Sequence, residues 1–225
     1  FGAYDDCPPA ANFFSQYKNL VHHHYHRLAP GEAETFWAGC GAVRKAEFLA
    51  VGGFDLVRYP RPSIEDSELG WRLRDHGGRL WLAPELQGTH LKVWRFGNLL
   101  RTEIFCRALP WSRLIHARAE RSNSLNVGRS ERLRGLVALG LFAALAAALG
   151  GLATFWLPLV LLAIALLANR ALFALFLRRR GPLFALGGLL YHQFYYLYGS
   201  AVFAWCAIEH RWLLLVSGAG GDARS

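Results

Sequence analysis

The hydrophobic positions of this chain follow two different patterns. From Phe1 to about Asn126, apolar residues are interleaved with charges, glycines and prolines, which is typical of soluble α/β segments. From Leu133 to Ile208 the sequence is dominated by Leu, Ala, Gly and Phe. This change in composition predicts a soluble part followed by a membrane part.

The apolar part contains candidate transmembrane helices. Two runs, Leu133–Leu149 and Leu152–Ala168, flank the pair Gly150-Gly151 and carry no charge after Arg134. A bilayer core needs about 20 apolar helical residues, so these short runs predict a helical hairpin that turns at the glycines. A third run, Leu183–Ile208, is long enough to span but contains polar residues and tyrosines that suit the membrane interface. About three transmembrane helices are therefore predicted, with a buried hairpin of a large soluble protein as the alternative.

Arginines stand at particular ends of these runs. They lie before or at the start of the first run and after the second, at Arg129, Arg132, Arg134, Arg170, Arg178, Arg179 and Arg180. Because cytoplasmic loops of membrane proteins carry an excess of Lys and Arg, both places are expected to be cytoplasmic. The sequence therefore predicts a multi-pass protein of the cytoplasmic (inner) membrane whose soluble part faces the cytoplasm.

Much of the positive charge lies just before the apolar part. The chain has a formal net charge of +9, and the segment from Lys92 to Arg134 is rich in arginine interleaved with Trp and Phe. Such a segment beside a membrane run is typical of an interfacial helix on anionic lipid. Nucleic-acid binding is the alternative, but the position beside the membrane argues against it, so no nucleic-acid partner is expected.

The cysteine and methionine counts give two further expectations. The four cysteines are far apart and form no CxxC pair, which excludes a common zinc motif and a secreted disulfide framework and agrees with a reducing cytoplasm. The sequence contains no Met and begins at Phe1 without a charged lead-in. We therefore expect that an N-terminal part precedes this sequence in the whole protein.

A short amphipathic helix is predicted from Ser63 to His76. Apolar residues four positions apart share one face of it, and a glycine follows as a common stop signal. Glu65 and Asp66 fall in its first turn. Two explanations fit these acidic residues: a capping box, Ser63-x-x-Asp66, with charges favoured by the helix dipole, or a functional carboxylate.

Several short motifs occur together in the soluble part. Val51-Gly52-Gly53-Phe54-Asp55 precedes a stretch that begins Glu65-Asp66-Ser67-Glu68-Leu69, and both follow the run from Phe36 to Arg44. In this order they resemble the family 2 glycosyltransferases of the GT-A fold, over roughly Phe1 to Trp111. The resemblance implies a partial α/β, Rossmann-like domain. It also implies inverting transfer of a sugar, of the hexosyltransferase type, from a nucleotide-sugar donor.

The resemblance also implies roles for individual residues. Asp66 corresponds to the base that accepts the acceptor hydroxyl's proton, and a helix start favours its ionised form; Glu65 is its neighbour. The run from Phe36 to Arg44 resembles the acceptor-side segment of membrane polysaccharide synthases. The residues expected to bind substrate are Trp37, Gly39, Cys40, Gly41, Lys92, Arg107 and Trp111. A divalent metal, Mg or Mn, is implied, with its main ligands in the expected N-terminal part and with His90 as a further candidate ligand.

The chain departs from the family pattern in two places. An Asp-x-Asp metal motif is not convincingly present, since Asp5-Asp6 are adjacent and stand beside prolines; on its own, this chain is therefore expected to be inactive. The Gln-x-x-Arg-Trp motif of processive synthases is also missing, and Arg107 and Trp111 occur at a different spacing. Single transfer to a lipid or lipid-linked glycan acceptor in cell-envelope synthesis is favoured, and a processive synthase or an inactive membrane scaffold are the alternatives.

Four regions follow from this interpretation. They are residues 1–111, the C-terminal half of the transferase domain; 112–132, a basic linker; 133–209, the transmembrane helices; and 210–225, a tail. The histidine cluster His22–His26 is interpreted as a polar helix surface or an acceptor-facing loop, with a metal site as the alternative, because successive histidines on a helix point in different directions.

Overall fold

The computed structural model describes residues 1–117 and 128–219, and 67% of the chain it describes is helical. The α-helices are α1 (Phe13–Leu28), α2 (Lys45–Ala50), α3 (Glu65–Asp75), α4 (Phe96–Arg101), α5 (Leu109–Ala117), α6 (Arg129–Leu149), α7 (Trp156–Ala168) and α8 (Arg170–Ala219). The strands are β1 (Ala3–Tyr4), β2 (Gly31–Ala33), β3 (Leu80–Leu82) and β4 (Gln87–Gly88). A 3₁₀ turn covers Ala38–Cys40, and a π-helix covers Thr102–Ala108.

The strands form two separate pairs. β1 runs parallel to β4, with Ala3 opposite Gln87, and β2 runs antiparallel to β3, with Glu32 opposite Trp81. Within residues 1–117 and 128–219 no sheet has more than two strands. The predicted α/β, Rossmann-like fold is therefore wrong. Strands of two or three residues cannot provide the broad parallel sheet on which helices of an α/β domain pack.

Helix α1 joins the predicted soluble and membrane parts. Asn12 caps it by accepting a hydrogen bond from the Ser15 amide at 3.1 Å, which satisfies one of the free amides of the first turn. One face of α1 packs against the start of α8 in a shared core of buried side chains: Tyr17, Leu20, Val21, Leu172, Leu175, Phe176 and Ala185. The two parts are thus held together by apolar packing on both sides of the predicted linker.

Two smaller cores hold helix α3. Leu69 and Leu73 pack with Phe36 and Leu80, so one face of α3 covers β3 and the segment that precedes α2. Trp71, on another face, packs with residues of α5. Helix α3 is therefore fixed on two sides, which determines the direction of its N-terminal residues.

Helix α4, the π-helix and helix α5 follow one another without a break. Over Thr102–Ala108 each backbone hydrogen bond spans one residue more than in an α-helix. Such π-helical interruptions are frequent at functional positions. The π-helix places Glu103 inward, 6% exposed, and leaves Arg107 partly exposed on the same side at i, i+4. The basic segment before the predicted membrane part therefore contains a buried carboxylate as well as arginines.

Helix α8 contains a break. Gly181 has φ 80° and ψ 177°, a backbone conformation that side chains rarely tolerate, and Pro182 follows it without an amide donor. Residues on both sides of the break pack on α1, and those after it also contact α5 and α6.

Fewer membrane-spanning helices are present than predicted. Among the described residues, α6 is long and apolar enough to cross a membrane, with a mean hydropathy of 1.7. Helices α7 and α8 pass the same criteria only as a pair bent by 79°. The count is one, or two with the bent pair, instead of about three. The third apolar run differs because its polar residues His192 and Gln193 are buried, each 1% exposed, in a helix that packs on α1 and α5.

Some predicted boundaries fall outside the described residues. Helix α5 ends at Ala117 and α6 begins at Arg129, so residues 118–127 of the predicted linker 112–132 are not described. The same holds for residues 220–225 of the predicted tail 210–225.

Candidate functional site

Asp66 lies in the first turn of α3 and bridges two of the sequence motifs. Its Oδ2 accepts a hydrogen bond from the Ala38 amide at 3.0 Å, and its Oδ1 accepts one from the Ser67 amide at 2.8 Å. The capping box, the alternative explanation for these acidic residues, does not form, since the Ser63 hydroxyl donates to the Cys106 carbonyl at 2.7 Å. The carboxylate is therefore turned toward the Phe36–Gly41 segment.

Glu65 has a different environment from its neighbour. Its Oε2 accepts a hydrogen bond from the Ser63 amide at 2.6 Å, an interaction within the loop that enters α3. Its charge raises the pKa of Asp66, after the larger contribution of burial. Glu65 thus stabilises the helix entry and acts on Asp66 electrostatically.

The segment from Phe36 to Gly41 approaches its neighbours closely. A Cβ atom at position 39 would lie 2.4 Å from the Trp37 ring, and one at position 41 would lie 2.6 Å from the Phe36 ring, so both positions need glycine. The Cys40 carbonyl accepts a hydrogen bond from the Gly2 amide at 2.8 Å. The 3₁₀ turn is thereby tied to the start of β1 on one side and to Asp66 on the other.

Aromatic rings form a wall beside this turn. The Tyr4 ring contacts the Trp37 and His90 rings edge-on, both with centroids 4.5 Å apart. His26, from α1, lies 4.9 Å from Trp37, and His22 lies 5.7 Å from Tyr4. Strand β1, helix α1 and the loop after β4 thus bring flat rings to the place where Asp66 meets the turn.

Arg107 supplies positive charge to the same place. Its Nη1 lies 3.1 Å from His22 Nε2, and its Nε lies 3.6 Å from Glu103 Oε1. Glu103 in turn forms an ion pair with Lys18 at 2.8 Å, and both side chains are about nine-tenths buried. The guanidinium is therefore held between α1 and the π-helix while part of it stays exposed to solvent.

Burial dominates the electrostatics of the site. It raises the pKa of Asp66, an effect opposed by the hydrogen bonds from Ala38 and Ser67 and by the charge of Arg107. Burial also raises the pKa of Tyr4, on which the charges of Arg107, Asp66 and Cys40 act as well. Tyr4, Asp66, Arg107 and Cys40 are therefore close enough to interact electrostatically.

The histidines of the site are neutral at pH 7. Burial lowers the pKa of His26 to about 4 and that of His90 to about 4, and it lowers the pKa of His22 well below its ordinary value. The positive charge beside Asp66 therefore comes from Arg107, not from imidazolium.

Two of the predicted binding residues lie away from Asp66. The Lys92 ammonium stands 4.0 Å from the centroid of the Trp94 ring, which itself stacks on His90. Trp111 packs against Trp71 with ring centroids 4.9 Å apart, within the apolar core between α3 and α5. Lys92 thus borders the aromatic wall, whereas Trp111 has a packing position.

The described residues do not form a complete set of metal ligands by themselves. No group of three or more His, Cys, Asp or Glu side chains among residues 1–117 and 128–219 converges as ligands. His90 instead contacts Tyr4 and Trp94. Within the cluster His22–His26, all on α1, His22 and His26 face the aromatic wall while His23 Nδ1 lies 2.8 Å from the Tyr4 carbonyl oxygen.

Several site residues were absent from the sequence-based prediction. Tyr4, Lys18 and Glu103 belong to no recognised motif. His22 and His26 could have been paired by their i, i+4 spacing, because such residues share one helix face. Once α1 is recognised as a helix, this spacing separates them from His23 and His24.

Comparison with protein-family models, with curated proteins and with solved structures found no match to this chain. The argument for a function therefore depends on the residues themselves.

The contact between α3 and the Phe36 segment provides a test of this architecture. A Cβ atom at Gly70 would lie 2.4 Å from the Phe36 amide nitrogen and 2.9 Å from the Phe36 Cβ. We expect Gly70→Ala to lower the free energy of unfolding by about 1–3 kcal/mol, because the segment must move off the helix. Thermal unfolding followed by Trp fluorescence measures this.

Gly97→Ala is the matched control. It lies in α4, where a Cβ atom would meet nothing within 4 Å, so helix propensity predicts a gain of up to about 1 kcal/mol. Equal unfolding temperatures for Gly70→Ala and wild type would contradict the close contact.

Proposed function

We propose that this chain carries the catalytic base of an inverting sugar transferase that uses a nucleotide-sugar donor and a membrane-associated hydroxyl acceptor. The observation that carries the proposal is the hydrogen bond between Asp66 and the Ala38 amide. It joins the Glu-Asp motif to the acceptor-side segment, which are separate in sequence and are both expected to contact the acceptor. The proposal depends on this local geometry and on no particular fold class.

In the proposed reaction, Asp66 accepts the proton of the acceptor hydroxyl. The hydroxyl oxygen forms a new bond to the anomeric carbon as the bond from that carbon to the diphosphate oxygen breaks, and the electron pair leaves with the nucleotide diphosphate. Attack from the opposite side inverts the anomeric configuration. Each Asp66 oxygen accepts one backbone hydrogen bond, so lone pairs remain for a hydroxyl proton.

Other residues of the site suit the charges and shapes of these substrates. Arg107 offers a partly exposed guanidinium, which is well adapted to a developing diphosphate charge because its donors form paired hydrogen bonds with phosphate oxygens. Trp37 and Tyr4 offer flat apolar faces and edges next to Asp66. No step of this reaction is assigned to the predicted divalent metal, whose main ligands are expected outside this sequence.

The membrane association of the acceptor is supported by the apolar helices. Helix α6 is able to span a membrane, and exposed apolar side chains continue along α7, at Leu157, Leu159, Val160, Ile164 and Leu167. A site attached to such helices meets acceptors that are lipids or lipid-linked glycans. We propose that transfer takes place on the cytoplasmic face of the inner membrane, in cell-envelope glycan or glycolipid synthesis.

A transfer assay tests the proposal. Membranes that contain the intact protein are incubated with a panel of radiolabelled nucleotide sugars, and labelled products are extracted and their anomeric configuration is determined. We expect one donor to give a lipid-extractable product with inverted configuration and one added sugar. Products with many sugars would favour the processive synthase, and no transfer from any donor would favour the inactive scaffold; either result would contradict the proposal.

A further inference from the structure

A basic groove lies on the other face of α1, away from Asp66. Its volume is about 800 Å³, and its lining includes Arg27, Arg178, Arg179 and Asp6. Volumes of this size are typical of small-molecule sites. The groove shares no lining residue with the aromatic wall, because His22 and His26 face the wall while His23 and His24 face the groove.

The charges of the groove favour an anion. Asp6 is its one carboxylate and already forms an ion pair with Arg179. Arg27 and Arg178 are exposed and form no ion pair with any carboxylate of the described residues. Two guanidinium groups therefore remain for a ligand, and guanidinium groups pair well with phosphate oxygens.

One wall of the groove is apolar and adjoins the arginines on the same two helices. Ala171, Ala174 and Leu175, on the first part of α8, line it together with Leu28 of α1. A free phosphate ion gains nothing from such a wall. An amphiphile with a phosphate at one end gains from both surfaces, because burial of its apolar part is favourable by about 25 cal/mol per Å².

A second cavity extends the groove toward the membrane helices. It has a volume of about 290 Å³ and shares His24 and Ala171 with the first. It continues along Arg170 to Leu167 at the end of α7, where the exposed apolar side chains of α7 begin. The path therefore leads from the arginines to the surface expected to face acyl chains.

From this arrangement we infer that the groove binds the phosphate headgroup of an anionic phospholipid, with the acyl chains directed along α7. Arg27 and Arg178 hold the phosphate, and the Ala171–Leu175 wall covers the start of the chains. This site is independent of Asp66 and of the transfer reaction. Lipid binding there would hold the protein at a fixed depth relative to an anionic membrane surface.

Lipid retention measured by native mass spectrometry tests the site. The full chain is released from mixed micelles that contain equal amounts of phosphatidylglycerol and phosphatidylcholine, and the bound lipid is counted. We expect phosphatidylglycerol to be retained selectively. The double variant Arg27→Gln/Arg178→Gln is expected to lower this retention by about 25-fold, since each arginine near anionic lipid contributes roughly fivefold.

Two further variants separate the groove from general surface charge. Arg61→Gln/Arg74→Gln removes the same charge from exposed positions elsewhere and is expected to keep the selectivity. Ala174→Phe fills the groove without a change of charge and is expected to lose it. Thermal unfolding of all variants confirms that they are folded.

Three outcomes would overturn the inference. They are equal losses in the Arg27/Arg178 and Arg61/Arg74 double variants, unchanged retention in Ala174→Phe, and displacement of the lipid by millimolar inorganic phosphate. The last result would assign the groove to a soluble phosphate compound.

Discussion

Replacement of Asp66 by asparagine is expected to lower sugar transfer by about 10²–10⁴-fold, the usual contribution of a general base. The amide keeps the size of the side chain and one oxygen, which can accept the hydrogen bond from Ala38 but not also the one from Ser67, so the pH dependence of transfer is needed to assign the loss to the missing proton acceptor. Transfer by the intact protein is measured as product formed per unit time. Glu47→Gln is the control, because Glu47 is exposed on α2 and its change should leave the rate unaltered.

The pH dependence of transfer gives the same prediction a second readout. The base must be ionised, and burial raises the pKa of Asp66. Wild-type activity should therefore fall as the pH falls through this raised pKa, at a higher pH than an exposed aspartate would give. The residual activity of Asp66→Asn should lack this acid limb. An asparagine variant with near-normal turnover, or with the same acid limb, would place the base elsewhere.

Local features of the fold were predictable from the sequence, and the long-range arrangement was not. The apolar spacing and the following glycine predicted a helix at Ser63–His76, and the structure has α3 at Glu65–Asp75. The run from Leu133 to Leu149 lies within α6. Periodicity reports a helix reliably because it depends on neighbouring residues.

The Rossmann-like sheet was inferred from the order of motifs, and motifs do not determine how strands pair. The segments that pair here provide strands of two or three residues, as at Leu80–Leu82. Pairing of such strands is decided by contacts distant in sequence, which neither composition nor periodicity contains. The same limit applies to the third apolar run, whose burial of His192 against other helices is a tertiary property.

The candidate site was partly predictable. Asp66, Trp37, Cys40 and Arg107 were singled out from short patterns, and the structure brings their elements together. Trp111 was chosen for its resemblance to an Arg-Trp motif, yet its ring packs on Trp71. A short motif shows which residues are present but not where their side chains point. The sequence therefore predicts residues of such a site but not their arrangement.

Removal of the Glu103 side chain is expected to have the largest effect on stability. Glu103 is the ion-pair partner of Lys18 at 2.8 Å, and both side chains are buried. Burial lowers the pKa of Lys18 to about 8, although Glu103 acts to raise it. In Glu103→Ala the ammonium loses its buried partner, so the free energy of unfolding at pH 7 should fall by about 3–5 kcal/mol. Thermal and denaturant unfolding measure this change.

The sign of the pH effect distinguishes an unpaired charge from lost packing. A lysine whose folded pKa lies below its unfolded value destabilises the protein at low pH, and this cost is relieved as the pH rises through the folded pKa. Without Glu103 the Lys18 pKa should fall below about 8, so the deficit relative to wild type should shrink as the pH rises toward 8. The double variant Lys18→Met/Glu103→Leu, which buries no charge, should recover most of the wild-type stability. A Glu103→Ala deficit that stays constant with pH and persists in the double variant would mean that packing around the π-helix, rather than the ion pair, accounts for the lost stability.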